Sequence, residues 1–188
     1  TRPSMAARTK GRVFTAINFL RYASLALFGK AYMKHWLPII RFLAGRLAIY
    51  LAAVAVAYVL ASVFATQSVV SSLAGMGLVL SLGERLSMTV RDLGGMAGMF
   101  LPMVAFGLLI AFMTTALICR YKGQWRTPLY TLAGAIAVVC VHLALNAAFG
   151  VTPIAVARTS TGLLSQALAG AAGGLTYLVL SRRHESIS

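Results

Sequence analysis

The chain has 188 residues, of which 60% are hydrophobic and only 11% are charged. A soluble domain carries roughly a quarter charged residues, and at this size it has too little interior to hide so much apolar surface. The 17 lysines and arginines against three acids give a net charge of +14, but no nucleic-acid-binding pattern accompanies them, so we expect no nucleic-acid partner. The composition therefore predicts an all-α integral membrane protein.

Residues 1–45 form a basic region that contains no acidic residue. Within it, Val13, Ile17 and Leu20 recur at helical spacing, which predicts an amphipathic helix lying on the cytoplasmic face of a membrane. We expect the region to bind anionic lipids. The basic residues assigned to lipid headgroups are Arg8, Lys10, Arg12 and Arg21.

Four hydrophobic segments follow, each close to the ~20 residues needed to cross the hydrocarbon of a bilayer. They lie at about 46–66, 98–119, 128–148 and 162–180, in a single membrane domain over 46–181 with a tail at 182–188. Between the first two, the apolar stretch Val69–Leu82 is too short for an upright span. It is predicted to be an interfacial or re-entrant segment between spans 1 and 2. The predicted fold is therefore a four-transmembrane-helix bundle.

The distribution of basic residues predicts the orientation. With four spans, fourteen lysines and arginines fall on the side of both termini, and three fall on the other side. Basic residues accumulate on the cytoplasmic side, so both termini are predicted to be cytoplasmic. The composition favours the inner membrane of a bacterium. The mitochondrial inner membrane is the alternative, because the Arg-rich, acid-poor beginning is similar to a mitochondrial presequence.

Small residues recur at four-residue spacing in two of the predicted spans. Ala53, Ala57 and Ala61 share a face of the first, and Gly170 and Gly174 form a GxxxG pattern in the fourth. Small side chains let helix backbones approach closely in lipid. The two faces serve either packing within one bundle or an interface between copies of the chain.

Polar residues in the last two spans form the candidate site. His142 and Asn146 are four residues apart and share a helix face, and Gln166 lies one turn into the fourth span. Because polar groups are costly at membrane depth, His142 and Asn146 are both predicted to face the bundle interior near Gln166. The cluster is either a small site open to the outer side or a set of interhelical hydrogen bonds.

No catalytic constellation is visible. The segment from His142 to Asn146 resembles the His-x3-Asn of rhomboid proteases, but no Gly-x-Ser-Gly follows and the predicted spans hold no second histidine to act as a base. The three acids fall outside the predicted spans, so no paired carboxylates are indicated. We expect a non-enzymatic protein with no metal site and no cofactor.

Two functions from different classes remain. The first is an accessory, scaffold or assembly subunit of a larger membrane complex, which binds other membrane subunits or copies of itself. The alternative is a small oligomeric transporter or channel that uses the polar residues of the outer half of the bilayer. A polar interior cavity lined by His142 would favour transport, and a packed bundle with an apolar outer surface would favour a subunit.

Overall fold

A computed structural model describes the backbone of residues 5–78, 80–121, 123–149 and 159–186. It describes the side chains of residues 37, 39–78, 80–121, 123–148 and 159–186. The elements in chain order are α1 (Met5–Gly75), α2 (Leu82–Ala97), α3 (Phe100–Tyr121), a short 3-10 turn (Gly123–Trp125), α4 (Arg126–Phe149) and α5 (Ser160–Glu185).

The chain divides into two compact units, Thr1–Gly45 and Arg46–Ser188. In the first unit the backbone is helical from Met5 onward. The residues assigned to lipid headgroups and the apolar stripe lie outside the described side chains, so the amphipathic character of this unit stays a prediction. The second unit contains the rest of α1 together with α2, α3, α4 and α5.

Four helices are long and apolar enough to cross a membrane. They are Ile39–Gly75, Phe100–Tyr121, Gly123–Ala148 and Ser160–Glu185. The predicted all-helical class with four such helices is therefore confirmed. Large apolar side chains such as Phe106, Ile136 and Leu168 are exposed on the outside of the second unit. An apolar outer surface of this kind suits lipid as the surrounding solvent.

The segment between the first two spans differs from its prediction. α1 does not end near residue 66 but continues to Gly75, and the chain then turns, with Gly77 in the left-handed region at φ +84°. The predicted interfacial or re-entrant segment at Val69–Leu82 does not form a helix of its own, because its first half belongs to α1 and its last residue begins α2. Its position relative to the membrane stays a prediction. Because the whole stretch is apolar, hydropathy did not indicate that the helix ends at Gly75 and that the chain turns at Gly77.

The amphipathic helix of this region is α2. Its first turn is closed by a capping box, in which Glu84 Oε2 accepts a hydrogen bond from the Ser81 backbone N–H at 2.8 Å and Ser81 Oγ accepts one from the Glu84 N–H at 3.4 Å. Leu86, Val90 and Leu93 share one face of the helix; Leu86 and Val90 are exposed, and Leu93 is partly buried and packs against the core. The Ser-x-x-Glu pattern is a sequence signal that could have located this helix.

Helices α4 and α5 pack closely through glycines. A Cβ atom built on Gly134 would overlap the carbonyl oxygen of Gly170, and one built on Gly174 would overlap that of Tyr130. Only glycine allows the two backbones to approach this far. Each step of four residues forward along α4 goes with four residues back along α5, so the two helices are antiparallel.

The small residues of α1 face α5. Ala53, Ala57 and Ala61 have no exposed surface, and a Cβ atom on Gly173 would lie 2.8 Å from the Cβ of Ala57. Both small-residue faces are therefore filled by contacts within this chain.

The arginines Arg46, Arg126 and Arg182 gather at one end of the second unit, which we call the basic end. Arg46 and Arg126 each place a guanidinium nitrogen 3.3 Å from Oε1 of Glu185. The guanidinium of Arg182 donates to the hydroxyl of Thr127 at 2.9 Å. These bonds join α1, α4 and α5 where α5 ends.

Candidate functional site

The structure separates the three predicted polar residues. His142 and Gln166 are buried, with 2% and 0% of their surface exposed. Asn146 is exposed on α4, so the prediction that it faces the interior is wrong. The buried face of α4 continues from His142 to Leu145, which is 4% exposed, because residues three and four positions ahead lie on opposite sides of the face that His142 occupies.

Gln166 links α5 to α1. Its side-chain Nε2 donates to the backbone carbonyl of Ala61 at 2.9 Å. The Ala61 carbonyl belongs to a helix, so it accepts this bond in addition to its own helical one. The contact fixes the amide orientation of Gln166, because only the NH₂ group can donate to a carbonyl.

His142 is held by its own helix. The Nδ1 atom of His142 lies 2.9 Å from the carbonyl oxygen of Val138, and the edge of its ring packs against Phe100 of α3 at a centroid distance of 5.4 Å. A carbonyl oxygen can only accept, so Nδ1 carries the hydrogen. In the neutral imidazole this leaves a lone pair on Nε2.

Two further polar residues were missed in the sequence analysis. Ser62 of α1 is fully buried beside Ala61, and Thr66 lies one turn further along with 1% exposure. The hydroxyl of Thr66 lies 2.8 Å from Asp92 Oδ2 of α2. Their four-residue spacing on the first span was a signal for a shared face, comparable with that of His142 and Asn146.

A groove with a volume of about 860 Å³ runs along the outside of α3 and α4 and is open to the surroundings. We call it the α3–α4 groove. Several of the less exposed residues that line the groove are small, and we call them its floor; among them are Gly107, Ala133 and Ala137. The exposed side chains of Ile110 and Ile136 also line it. His142 and Gln166 do not line it.

Hydroxyl groups in the groove are already bonded. Thr114 donates to the carbonyls of Ile110 and Ala111, and Thr115 donates to that of Ala111 at 2.7 Å. Among the described residues that line the groove, none is acidic or basic. The groove therefore offers shape and apolar contact rather than charge.

The chain was compared with protein-family models, with curated proteins and with solved structures, and it matches none of them.

Proposed function

We propose that the protein is a non-enzymatic subunit of a larger membrane complex, with an accessory, scaffold or assembly role. In this proposal the α3–α4 groove receives one transmembrane helix of another subunit. The observation that supports it is the groove itself, which is wide, apolar and located on the outer surface.

The dimensions of the groove suit a helix. From Pro102 to Ile118 it follows α3 for about 24 Å at 1.5 Å per residue, which approaches the ~30 Å of hydrocarbon that a spanning helix crosses. Small residues on its floor allow close approach, and close packing drives helix association in lipid. A partner helix with large apolar side chains at four-residue spacing would complement this floor.

Charge favours a different protein over a second copy. A second copy in the same orientation would bring another fourteen basic residues and one acid, a net +13, to the same side of the membrane, and like charges placed together oppose association. Arg120 is exposed where α3 ends at the basic end. A partner with acidic residues after its helix would meet this arginine.

The remaining parts of the proposal concern location. We place the protein in the inner membrane of a bacterium, with both termini in the cytoplasm and residues 1–45 on anionic lipid. The mitochondrial inner membrane is the alternative, because it presents the same physical conditions. A transporter or channel is the second candidate function, but none of the described residues that line the groove is charged, and the hydroxyl of its buried Thr115 is bonded to its own helix.

Photo-crosslinking in the native membrane tests the proposal. A photoreactive residue replaces Ile136 in the groove or, as a matched control, Leu168 on the exposed side of α5. The antiparallel register of α4 and α5 places the two at the same depth. We expect one discrete adduct with another membrane protein from position 136, and adducts with lipid alone from position 168.

A second pair of variants tests the groove directly. Ala144→Trp fills the groove and should remove the adduct at Ile136. Ala116→Trp changes an exposed alanine of α3 outside the groove and should leave the adduct intact. Lipid adducts alone at both positions, or an adduct between two copies of this chain, would refute the proposal.

A further inference from the structure

Three polar atoms in the interior of the second unit have no hydrogen-bond partner among the residues that the structure describes. They are Ser62 Oγ, His142 Nε2 and Gln166 Oε1, and each belongs to a side chain that is at most 2% exposed. Buried polar atoms are nearly always paired, because an unpaired one keeps the full cost of leaving water. We call these three residues the polar node.

The helix register brings the residues of the polar node within about one helical turn of one another. Since Gly134 lies against Gly170, continuing one turn along both helices places Val138 opposite Gln166. The ring of His142 reaches back to this same level, because its Nδ1 bonds the carbonyl of Val138. On α1, the residue that Gln166 bonds is Ala61, the immediate neighbour of Ser62 in the chain.

The hydrogen positions that these bonds require define what the node can bind. His142 Nδ1 donates to Val138, so its Nε2 offers a lone pair. The amide nitrogen of Gln166 donates to Ala61, so its Oε1 also offers lone pairs. Ser62 adds a hydroxyl, which can donate or accept. The node therefore consists of two acceptors and one group of either kind.

We propose that the polar node is a binding site for a water molecule at membrane depth. The water donates one hydrogen to His142 Nε2 and the other to Gln166 Oε1, and its oxygen accepts from the hydroxyl of Ser62. This assignment satisfies all three atoms. It bridges α1, α4 and α5 in the interior, where the described buried side chains form one direct polar bond between α1 and α5, that of Gln166 with Ala61.

A cation would fit this node less well. The node contains no carboxylate, and a charge buried without a counter-charge is strongly disfavoured. The nearest described acid along this face is Asp92, whose carboxylate contacts Thr66, one turn beyond Ser62. A neutral molecule that donates two hydrogen bonds needs no counter-charge.

Polar groups continue from the node along α1. The hydroxyl of Thr66 lies 3.0 Å from the Ser62 carbonyl and 2.8 Å from Asp92, which is half-buried on α2. On the α3 side the ring of Phe100 covers His142. The proposal does not depend on the α3–α4 groove.

Solid-state NMR of the full chain in lipid bilayers tests the site. With ¹⁵N-labelled histidine, the chain gives signals from its three histidines, and His142→Asn identifies the signal of interest. We expect a neutral ring at pH 7 with the proton on Nδ1 and a hydrogen-bonded Nε2. Magnetisation should pass from water to this Nε2, and Gln166→Leu should abolish or strongly reduce the transfer.

Controls separate water from the other outcomes. Thr115→Val removes a buried hydroxyl of α3 that bonds its own helix, and it should leave the His142 signal unchanged. Sodium, potassium or ammonium chloride should not shift the signal. A proton on Nε2, an Nε2 without transfer from water in the unmodified chain, or a shift that saturates with one of these cations would each overturn the proposal.

Discussion

Nη2 of Arg126 lies 3.3 Å from Oε1 of Glu185, so the first residue of α4 is bonded to the last residue of α5. The same oxygen lies 3.3 Å from Nη2 of Arg46 on α1. One carboxylate therefore connects three helices at the basic end, although the chain has only three acids in all.

Glu185→Gln is expected to lower the stability of the bundle slightly. The carboxylate and the Arg46 guanidinium are about 40% exposed, and exposed ion pairs contribute about 0–1 kcal/mol each. The loss should shrink as salt rises, because ions screen exposed charges. Thermal unfolding at low and high salt measures it. A loss that does not depend on salt would contradict the electrostatic explanation.

Gly134→Ala is expected to destabilise the protein. The new methyl group would overlap the backbone of α5 at Gly170, and backbone cannot move aside as a flexible side chain can. Overpacking of this kind typically costs about 1–3 kcal/mol. Unfolding in detergent by a denaturant gives the free-energy difference.

The matched control is Gly94→Ala in α2. A Cβ atom there meets nothing within 4 Å, so the substitution only replaces a poor helix former by a good one. It should stabilise α2 by roughly 0.5–1 kcal/mol. Equal effects of the two substitutions would argue against the close packing of α4 and α5.

Ser81→Ala is expected to loosen the beginning of α2. The substitution removes the hydroxyl that caps the helix, and losing such a cap costs about 1 kcal/mol. Hydrogen exchange of the α2 amides should rise, while that of α5 should remain unchanged. Unchanged exchange at Glu84 and Arg85 would contradict the cap.

The same cap should make α2 sensitive to acid. Hydrogen bonds from the backbone N–H and the hydroxyl of Ser81 hold the pKa of Glu84 below its usual 4.5. Because the pKa of Glu84 is lowered in the folded helix, its carboxylate stabilises the helix fully above pH 4.5. The stabilisation is lost as the pH falls through the lowered pKa of the folded state. Exchange rates corrected for the intrinsic effect of pH should show this loss. Glu84→Gln should remove the pH dependence, and its persistence would contradict the assignment.

Reporter fusions test the proposed orientation. Fusions after Arg126 and after Arg183 should both behave as cytoplasmic, because fourteen of the seventeen basic residues fall on that side. A fusion after Gly77, in the turn between α1 and α2, should behave as external. A cytoplasmic signal from the turn would require a different number of crossings.

The helical class and the number of helices long and apolar enough to cross a membrane could be predicted from the sequence, because each follows from hydrophobicity along the chain. Lipid selects uninterrupted apolar helices, so length and composition alone locate them. The end of α1 could not be located in this way, because Val69–Leu82 is apolar on both sides of the turn. The turn there depends on the left-handed conformation of Gly77 and on the helix cap at Ser81. A hydropathy profile detects neither feature.

The interior arrangement was decided only by the tertiary structure. The sequence indicated that His142, Asn146 and Gln166 were costly in lipid, but it could not indicate which of them neighbouring helices would cover. The contact of Gly134 with Gly170 sets the register of α4 and α5, and the face of α4 that neighbouring helices cover includes His142 and Leu145 but not Asn146. Burial of a polar residue in a membrane helix depends on contacts between segments, and the periodicity of one segment contains no information about its partner's position.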